Sequence, residues 1–261
     1  MKQVGRYLKD LWKRKSLLVY LVTSGLKADT RNTILGYFWW LLDPALFVMV
    51  FAFVRVVLMG RAGENFVAFL AVGLLAFQFF AQTLTGSARS ISGKAGIITQ
   101  VYLPKSIFPV SVVLTQLINF LFALVTVGII LAASQIVPGP EVAWLPVIIL
   151  AQLSFHVVIA LIMAYVAVFV RDLQRILGHV TRIIRFTSPV LFEVELVPEE
   201  LQFFIDYNPF SWLVIAYREV LMYGRVPNMA RLGWLAVACV SISILLIIFY
   251  AYREHRAVKV L

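Results

Sequence analysis

Cysteine, histidine and acidic side chains are all scarce in this chain. The one cysteine, Cys239, rules out an intramolecular disulfide and a cysteine-based zinc site. It lies inside an apolar run, where it packs as a small hydrophobe. The three histidines, His156, His179 and His255, fall on separate segments, so no paired-histidine metal motif forms. There is no glycine-rich phosphate loop and hence no Walker motif, which leaves this chain without a nucleotide site of its own. No apolar core with a small-residue cleavage site opens the chain, whose first 15 residues are polar and basic, so a cleavable signal is not expected. An integral-membrane enzyme therefore ranks well below a transporter, and the transporter must draw its energy from elsewhere. A proton-coupled carrier would show buried acids in mid-span, and only Asp43 fits that description.

What the chain has is apolar length. Of 261 residues, 62% are hydrophobic and the mean hydropathy is +0.92, too apolar for a soluble domain of this size. The expected fold is an all-α integral membrane protein, one domain over residues 1–261, with six spans at about 35–58, 66–84, 107–134, 144–170, 176–195 and 232–252. Residues 2–28 read as an interfacial helix. Val4, Tyr7, Leu8, Leu11 and Trp12 recur at helical spacing opposite Lys2, Arg6, Lys9 and Lys13, the pattern of a helix on an anionic membrane face. Lys27 to Asn32 is expected to be a polar hinge. Of 23 Lys and Arg, 18 fall in segments that share one side of the membrane if the N-terminus is cytoplasmic. Both termini are therefore expected in the cytoplasm of a multi-pass plasma-membrane protein. The net charge of +10 sits at these segment ends and suits anionic lipid rather than nucleic acid.

The run Leu35-Gly36-Tyr37-Phe38-Trp39-Trp40-Leu41-Leu42-Asp43-Pro44 is the most informative in the chain. Its four aromatics suit an interfacial belt. Pro44 removes the partner of the Trp40 carbonyl, and Asp43 is placed to cap a segment that restarts there. After the fourth span comes the polar edge Arg171-Asp172. The fifth span is the weakest, with His179, Arg182 and Arg185 inside it and a kink expected at Pro189. Between spans five and six, Asn208-Pro209 supplies an N-cap and a first-turn proline, so short helices dipping back into the outer membrane half are expected there.

These pieces together resemble the type-2 ABC exporter permeases, most closely the branch that exports lipid-linked polysaccharides and teichoic acids. The resemblance rests on Thr33 to Trp40 with Pro44, on Leu103-Pro104-Lys105 with Pro109, on Arg171-Asp172, and on Tyr207-Asn208-Pro209, in that order. It implies a homodimer below which two copies of a separate ABC ATPase subunit bind ATP and Mg. It implies a pathway lined by spans one and five, and re-entrant outer helices before span six. The segment between spans two and three would dock on the ATPase through Ser90, Lys94 and Lys105. The substrate implied is a lipid-linked glycopolymer, teichoic acid first, O-antigen or capsular polysaccharide next. Export of small lipophilic drugs is the alternative within the same fold.

On that reading Tyr37, Phe38, Trp39 and Trp40 offer rings on which sugars stack, with the interfacial belt as the other reading. Arg175, His179, Arg182 and Arg185 form a cationic stripe whose arginines suit diphosphate or phosphate groups. Snorkelling to headgroups explains Arg175 as well, and an ion pair between Asp43 and Arg185 would make the arginine a strut instead.

Overall fold

A computed structural model describes residues 2–30, 35–54, 65–98, 100, 102–170 and 172–258. Among them there is no strand. The chain forms α1 (Lys2–Lys13), α2 (Lys15–Thr30), α3 (Trp39–Ala52), α4 (Phe66–Ser90), α5 (Ala95–Ile98), α6 (Ile107–Ala133), α7 (Leu145–Phe169), α8 (Leu173–Thr187), α9 (Phe203–Asp206), α10 (Pro209–Leu221) and α11 (Met229–Val258). Short 3-10 turns at Gly36–Phe38, Ser92–Lys94, Pro140–Trp144, Val194–Leu196 and Glu199–Leu201 join them.

Among the described residues four stretches are long and apolar enough to cross a membrane: Phe66–Ser90, Ile107–Ala133, Pro140–Phe169 and Met229–Glu254. They coincide with expected spans two, three, four and six. Span two runs six residues further than expected. In its polar end Thr85 Oγ1 donates to the Ala81 carbonyl and Ser90 Oγ to the Ser87 carbonyl, while Gly86 lets Val112 of α6 approach.

The two remaining spans differ from expectation. Helix α3 continues unbroken through Asp43 and Pro44, so no helix restarts at Pro44. The proline sits in the second turn and removes one carbonyl's partner only. The side chains of Tyr37, Trp40, Asp43 and Pro44 lie outside the described residues, as do residues 55–58 of the expected span and Arg171. Helix α8 stops at Thr187 instead of continuing to 195. Pro189 forces Ser188 into an extended conformation (φ −99°, ψ 154°), so the proline ends the helix rather than kinking it. At 15 residues, α8 is roughly 23 Å long, short of a bilayer core of about 30 Å, while the helical backbone that holds α3 reaches the edge of the described residues at Val54.

Helix α4 is the centre of the bundle. Of its apolar window 78% is buried, against 17% for α11 at the periphery. It packs against α3, α6, α7, α8 and α10. Gln152 of α7 donates through Nε2 to the Ala76 carbonyl at 3.3 Å, and His156 lies beside Phe80. Both pairs are 76 residues apart in sequence, so α4 and α7 run parallel.

Arg218 of α10 secures the break after α8. Only 3% exposed, it donates to the carbonyls of Pro189 and Val190 and to Phe69 of α4. Its guanidinium also stacks on the Phe69 ring, 3.4 Å from the centroid. The Pro189 and Val190 carbonyls follow the end of α8 without helical partners, in a place where water cannot serve them. Gly73 makes the approach possible: a Cβ there would lie 2.6 Å from both Arg218 Nη2 and the Val190 oxygen. At the start of α10, Asn208 caps the Phe210 N–H at 3.0 Å as expected, and also donates through Nδ2 to Ser188 Oγ at 2.9 Å.

The N-terminal segment is two helices rather than one, and the second extends to Thr30 through the expected hinge at Lys27. Helix α1 buries Tyr7 against the bundle but leaves Leu8 and Trp12 exposed, so its apolar face is shared between protein and surroundings. Helix α2 packs on α6, where a Cβ at Gly25 would lie 3.0 Å from Thr115 Oγ1.

Because the atom facing Gly73 is a backbone oxygen that cannot rotate away, Gly73→Ala is expected to destabilise the protein by about 1–3 kcal/mol. Gly128→Ala, with nothing within 4 Å, is expected to be neutral or slightly stabilising. Thermal unfolding in detergent compares the two.

Candidate functional site

Helix α8 carries the cationic stripe from the end of α7 into the bundle. Arg89 at the end of α4 donates through Nε to Gln174 Oε1 at 3.1 Å and fixes where α8 starts. Arg185 then meets Phe77 of α4. It lies 11 residues beyond Gln174, roughly 17 Å along the helix, while Phe77 lies 12 residues before Arg89, roughly 18 Å. The equal spacings set α4 and α8 antiparallel and put Arg185 near the middle of α4.

The Arg185 guanidinium lies 4.6 Å from the Phe77 centroid and 5.9 Å from that of Phe47 on α3. Each distance is within cation–π range. Its Nε is buried without a hydrogen-bond partner. Arg182, His179 and Arg175 sit on the exposed face of the same helix. Arg175 makes a 4.0 Å pair with Asp172 that is largely solvated and adds little. The stripe is therefore divided, with Arg175, His179 and Arg182 outward and Arg185 turned inward between rings of α3 and α4. Phe210 of α10 extends the aromatic wall, 6.2 Å from Phe77 and 4.8 Å from Phe80. Of the aromatics at the start of α3, Phe38 is exposed and Trp39 half-buried.

After the arginine stripe the charge reverses. From 189 to 217 there is no Lys or Arg, and Glu193, Glu195, Glu199 and Glu200 are exposed. Asp206 pairs with Arg231 of α11 at 3.0 Å.

The residues expected to dock a partner separate into two environments. Ser90 and Lys105 are buried, Lys105 to 2% exposure, whereas Lys94 is half-buried with Nζ over the Phe108 ring at 5.6 Å. Lys105 belongs instead to a hydrogen-bonded cluster. Its backbone N–H donates to Glu254 Oε2 at 2.9 Å, the Tyr102 hydroxyl donates to Glu254 Oε1 at 3.0 Å, and the Tyr7 hydroxyl lies 2.9 Å from Ser106 Oγ.

Burial, and then the Glu254 charge, push the Tyr102 phenol up to about 12 and the Tyr7 phenol well above its ordinary value. Raised phenol pKa values mean that these groups stay protonated. Their contribution is complete below about pH 10 and is lost only as the pH climbs past it. Burial pulls the Lys94 and Lys105 ammonium groups down, and for Lys105 the Glu254 charge opposes that shift.

Arg218 and Glu254 were not candidates from sequence. Arg218 is one of the five Lys and Arg outside the segments that share a side, and Glu254 sits between Arg253 and Arg256. The available signal for Glu254 was its type: it is the one acid beyond residue 219.

His156 is fully buried with neither ring nitrogen bonded, edge-on to Phe79 at 4.1 Å and flanked by Phe80 and Phe155. An open apolar groove of about 510 Å³ lies along α3, α4 and α6, lined among the described residues by Ala45, Val48, Met49, Ala52, Phe53, Val67 and Ile130. Among the described residues no cluster of His, Cys, Asp and Glu could hold a metal.

No protein-family model matches the chain. It is 32% identical over 257 residues to the O-antigen export system permease protein RfbA of Myxococcus xanthus, covering 97% of this chain and 98% of the relative. It is 28% identical over 211 residues to the Klebsiella pneumoniae protein of that name, covering 80% and 82%. It is 23% identical over 228 residues to the polysialic acid transport protein KpsM of Escherichia coli, covering 85% and 87%.

An unpartnered buried imidazole is a net cost to the fold. His156→Leu is expected to raise stability by about 1 kcal/mol or more, read as a higher melting temperature in detergent. A clear drop would mean that the imidazole has a bonded partner there.

Proposed function

The chain belongs to the permeases of the type-2 ABC exporters of polysaccharide, and on that premise we propose that it moves a lipid-linked glycan outward across the plasma membrane as a homodimer driven by two copies of an ABC ATPase subunit. ATP and Mg bind the ATPase, and this chain supplies the path. Both termini face the cytoplasm, α3 and α8 complete the six spans, and the α9–α10 segment is re-entrant from the outer side. The exposed cations and Trp12 of α1 rest on anionic lipid. The segment from Ser90 to Lys105 receives the ATPase, with Lys94 as its accessible cation.

The observation that carries the pathway reading is Arg185. A guanidinium with an unused Nε, held between Phe47 and Phe77 near mid-bundle, is costly in lipid and useful beside an anionic substrate. Arg185 meets the phosphate that links the glycan to its lipid, and Phe38 and Trp39 offer rings to sugars. The charge pattern favours neutral repeats over teichoic acid. A polymer with phosphate in every unit would leave past four exposed glutamates with no Lys or Arg between 189 and 217, whereas a glycan charged only at its lipid end would not. Drug export remains the second reading because the open apolar groove of about 510 Å³ has the size of a small-molecule site.

The test uses the permease–ATPase complex in proteoliposomes, with ATP turnover measured against added lipid-diphosphate-linked glycan. Arg182→Gln/Arg185→Gln should keep its fold and basal turnover while needing about tenfold more glycan for half-stimulation, the equivalent of one lost charge-assisted hydrogen bond. Normal stimulation in the double variant ends the phosphate reading. Stimulation by lipophilic drugs but not by glycan favours the alternative.

Docking is checked separately. Lys94→Glu should lower co-purification of the ATPase several-fold, and an unchanged yield would move the docking site elsewhere.

A further inference from the structure

We propose that Glu254 is a positioning residue that fastens the segment between α4 and α6 to α11, so that a displacement of that segment moves α1 and α11 with it. The proposal rests on the reading that the ATPase engages this segment.

The fastening is concentrated at the Glu254 carboxylate and the residues around it. Tyr102 and Lys105 occupy one oxygen each of the Glu254 carboxylate, at 3.0 and 2.9 Å. Between them Leu103 is buried in the cluster that contains Tyr7, Ile107, Leu161, Tyr250 and Ala251. Ser106 continues the tie into α1, its N–H donating to the Tyr7 hydroxyl at 3.3 Å. Arg14, between α1 and α2, donates to the Tyr102 carbonyl at 3.4 Å. A single carboxylate, 1% exposed, thus joins the end of the last span to the stretch through which the docking segment enters α6.

Charge and geometry explain why a glutamate is used. A buried carboxylate is tolerated when donors satisfy its oxygens and a cation is near. The donors are present, and the Lys105 ammonium sits 4.8 Å over the Tyr102 ring, close enough for Glu254 to influence its ionisation.

The tie also supplies what apolar packing does not. Hydrophobic contact is non-directional and lets α11 slide, whereas two hydrogen bonds below 3.1 Å to both oxygens fix distance and direction. Helix α11 needs such a fixing point because so little of it is buried. Glu254 touches neither nucleotide nor glycan. It acts by holding Tyr102 and Lys105, and its effect belongs to coupling rather than to binding.

The experiment compares hydrogen–deuterium exchange of the permease–ATPase complex in nanodiscs with and without Mg and a non-hydrolysable ATP analogue. In the parent protein, nucleotide should change exchange over 91–106, α1 and residues 246–258 together. In Glu254→Ala the change over 91–106 should persist while that in α1 and α11 is lost. ATP consumed per glycan exported should then rise several-fold with basal turnover unchanged. Tyr102→Phe removes one of the two donors and keeps the ring under Lys105. It should give an intermediate loss, and it carries the test if Glu254→Ala fails to fold. A purely structural Glu254 would raise exchange in α11 with and without nucleotide and leave the nucleotide-dependent difference intact, which overturns the proposal. If the parent protein shows no nucleotide effect over 91–106, the docking reading falls first and takes the proposal with it.

Discussion

Arg218 answers a constraint that the membrane imposes on this chain. Pro189 stops α8 inside the bundle, and the carbonyls that follow have no helical partner. Lipid offers no replacement donors, so the protein must supply them, and a guanidinium is the side chain with enough forked donors for several carbonyls at once. Its placement accounts for neighbouring choices. Gly73 clears the way on α4, Phe69 stacks beneath the charge, and Asn208 ties the start of α10 to Ser188. Helices α4, α8 and α10 are thereby joined through a point where the chain is not helical.

Held this way, α8 can present an arginine near mid-bundle without being a long apolar span. Arg185 is positioned from both ends: Arg89 fixes the start of the helix and Arg218 the chain after its end. The aromatic neighbours Phe47 and Phe77 come from α3 and α4. A weak span in the sequence is thus a short, braced helix in the fold. The other end of the molecule follows a similar logic. Glu254, buried and doubly bonded, organises α1, the start of α6 and α11 around one charge.

Much of this was legible beforehand. Uncharged runs at 66–84, 107–134, 144–170 and 232–252 became four long helices because lipid-facing backbone must satisfy itself and apolar length measures that directly. Asn208-Pro209 became a capped helix start because the cap acts locally. The resemblance carried by Leu35 to Pro44 and the later pieces pointed to the family that the relatives support. Local reasoning misjudged Pro189, read as a kink where the chain ends a helix. It also treated Arg182 and Arg185 as one face, whereas packing against Phe77 turns Arg185 inward and leaves Arg182 outside. Lys105, read as a docking cation, is buried because its backbone and that of Ser106 are drawn to Glu254 and Tyr7.

The sequence by itself determined where the four long apolar helices run and where positive charge accumulates, since both follow from composition along one stretch of chain. Tertiary structure alone decided which charges are inside. Arg218 and Arg231 are 13 residues apart and look alike in sequence. One holds three carbonyls at 3% exposure, and the other makes a surface pair with Asp206. That difference depends on Phe69, Pro189 and Val190, which are between 28 and 149 residues away from Arg218. No local pattern registers partners at such separation; the folding of α4, α8 and α10 against one another is what brings them within reach.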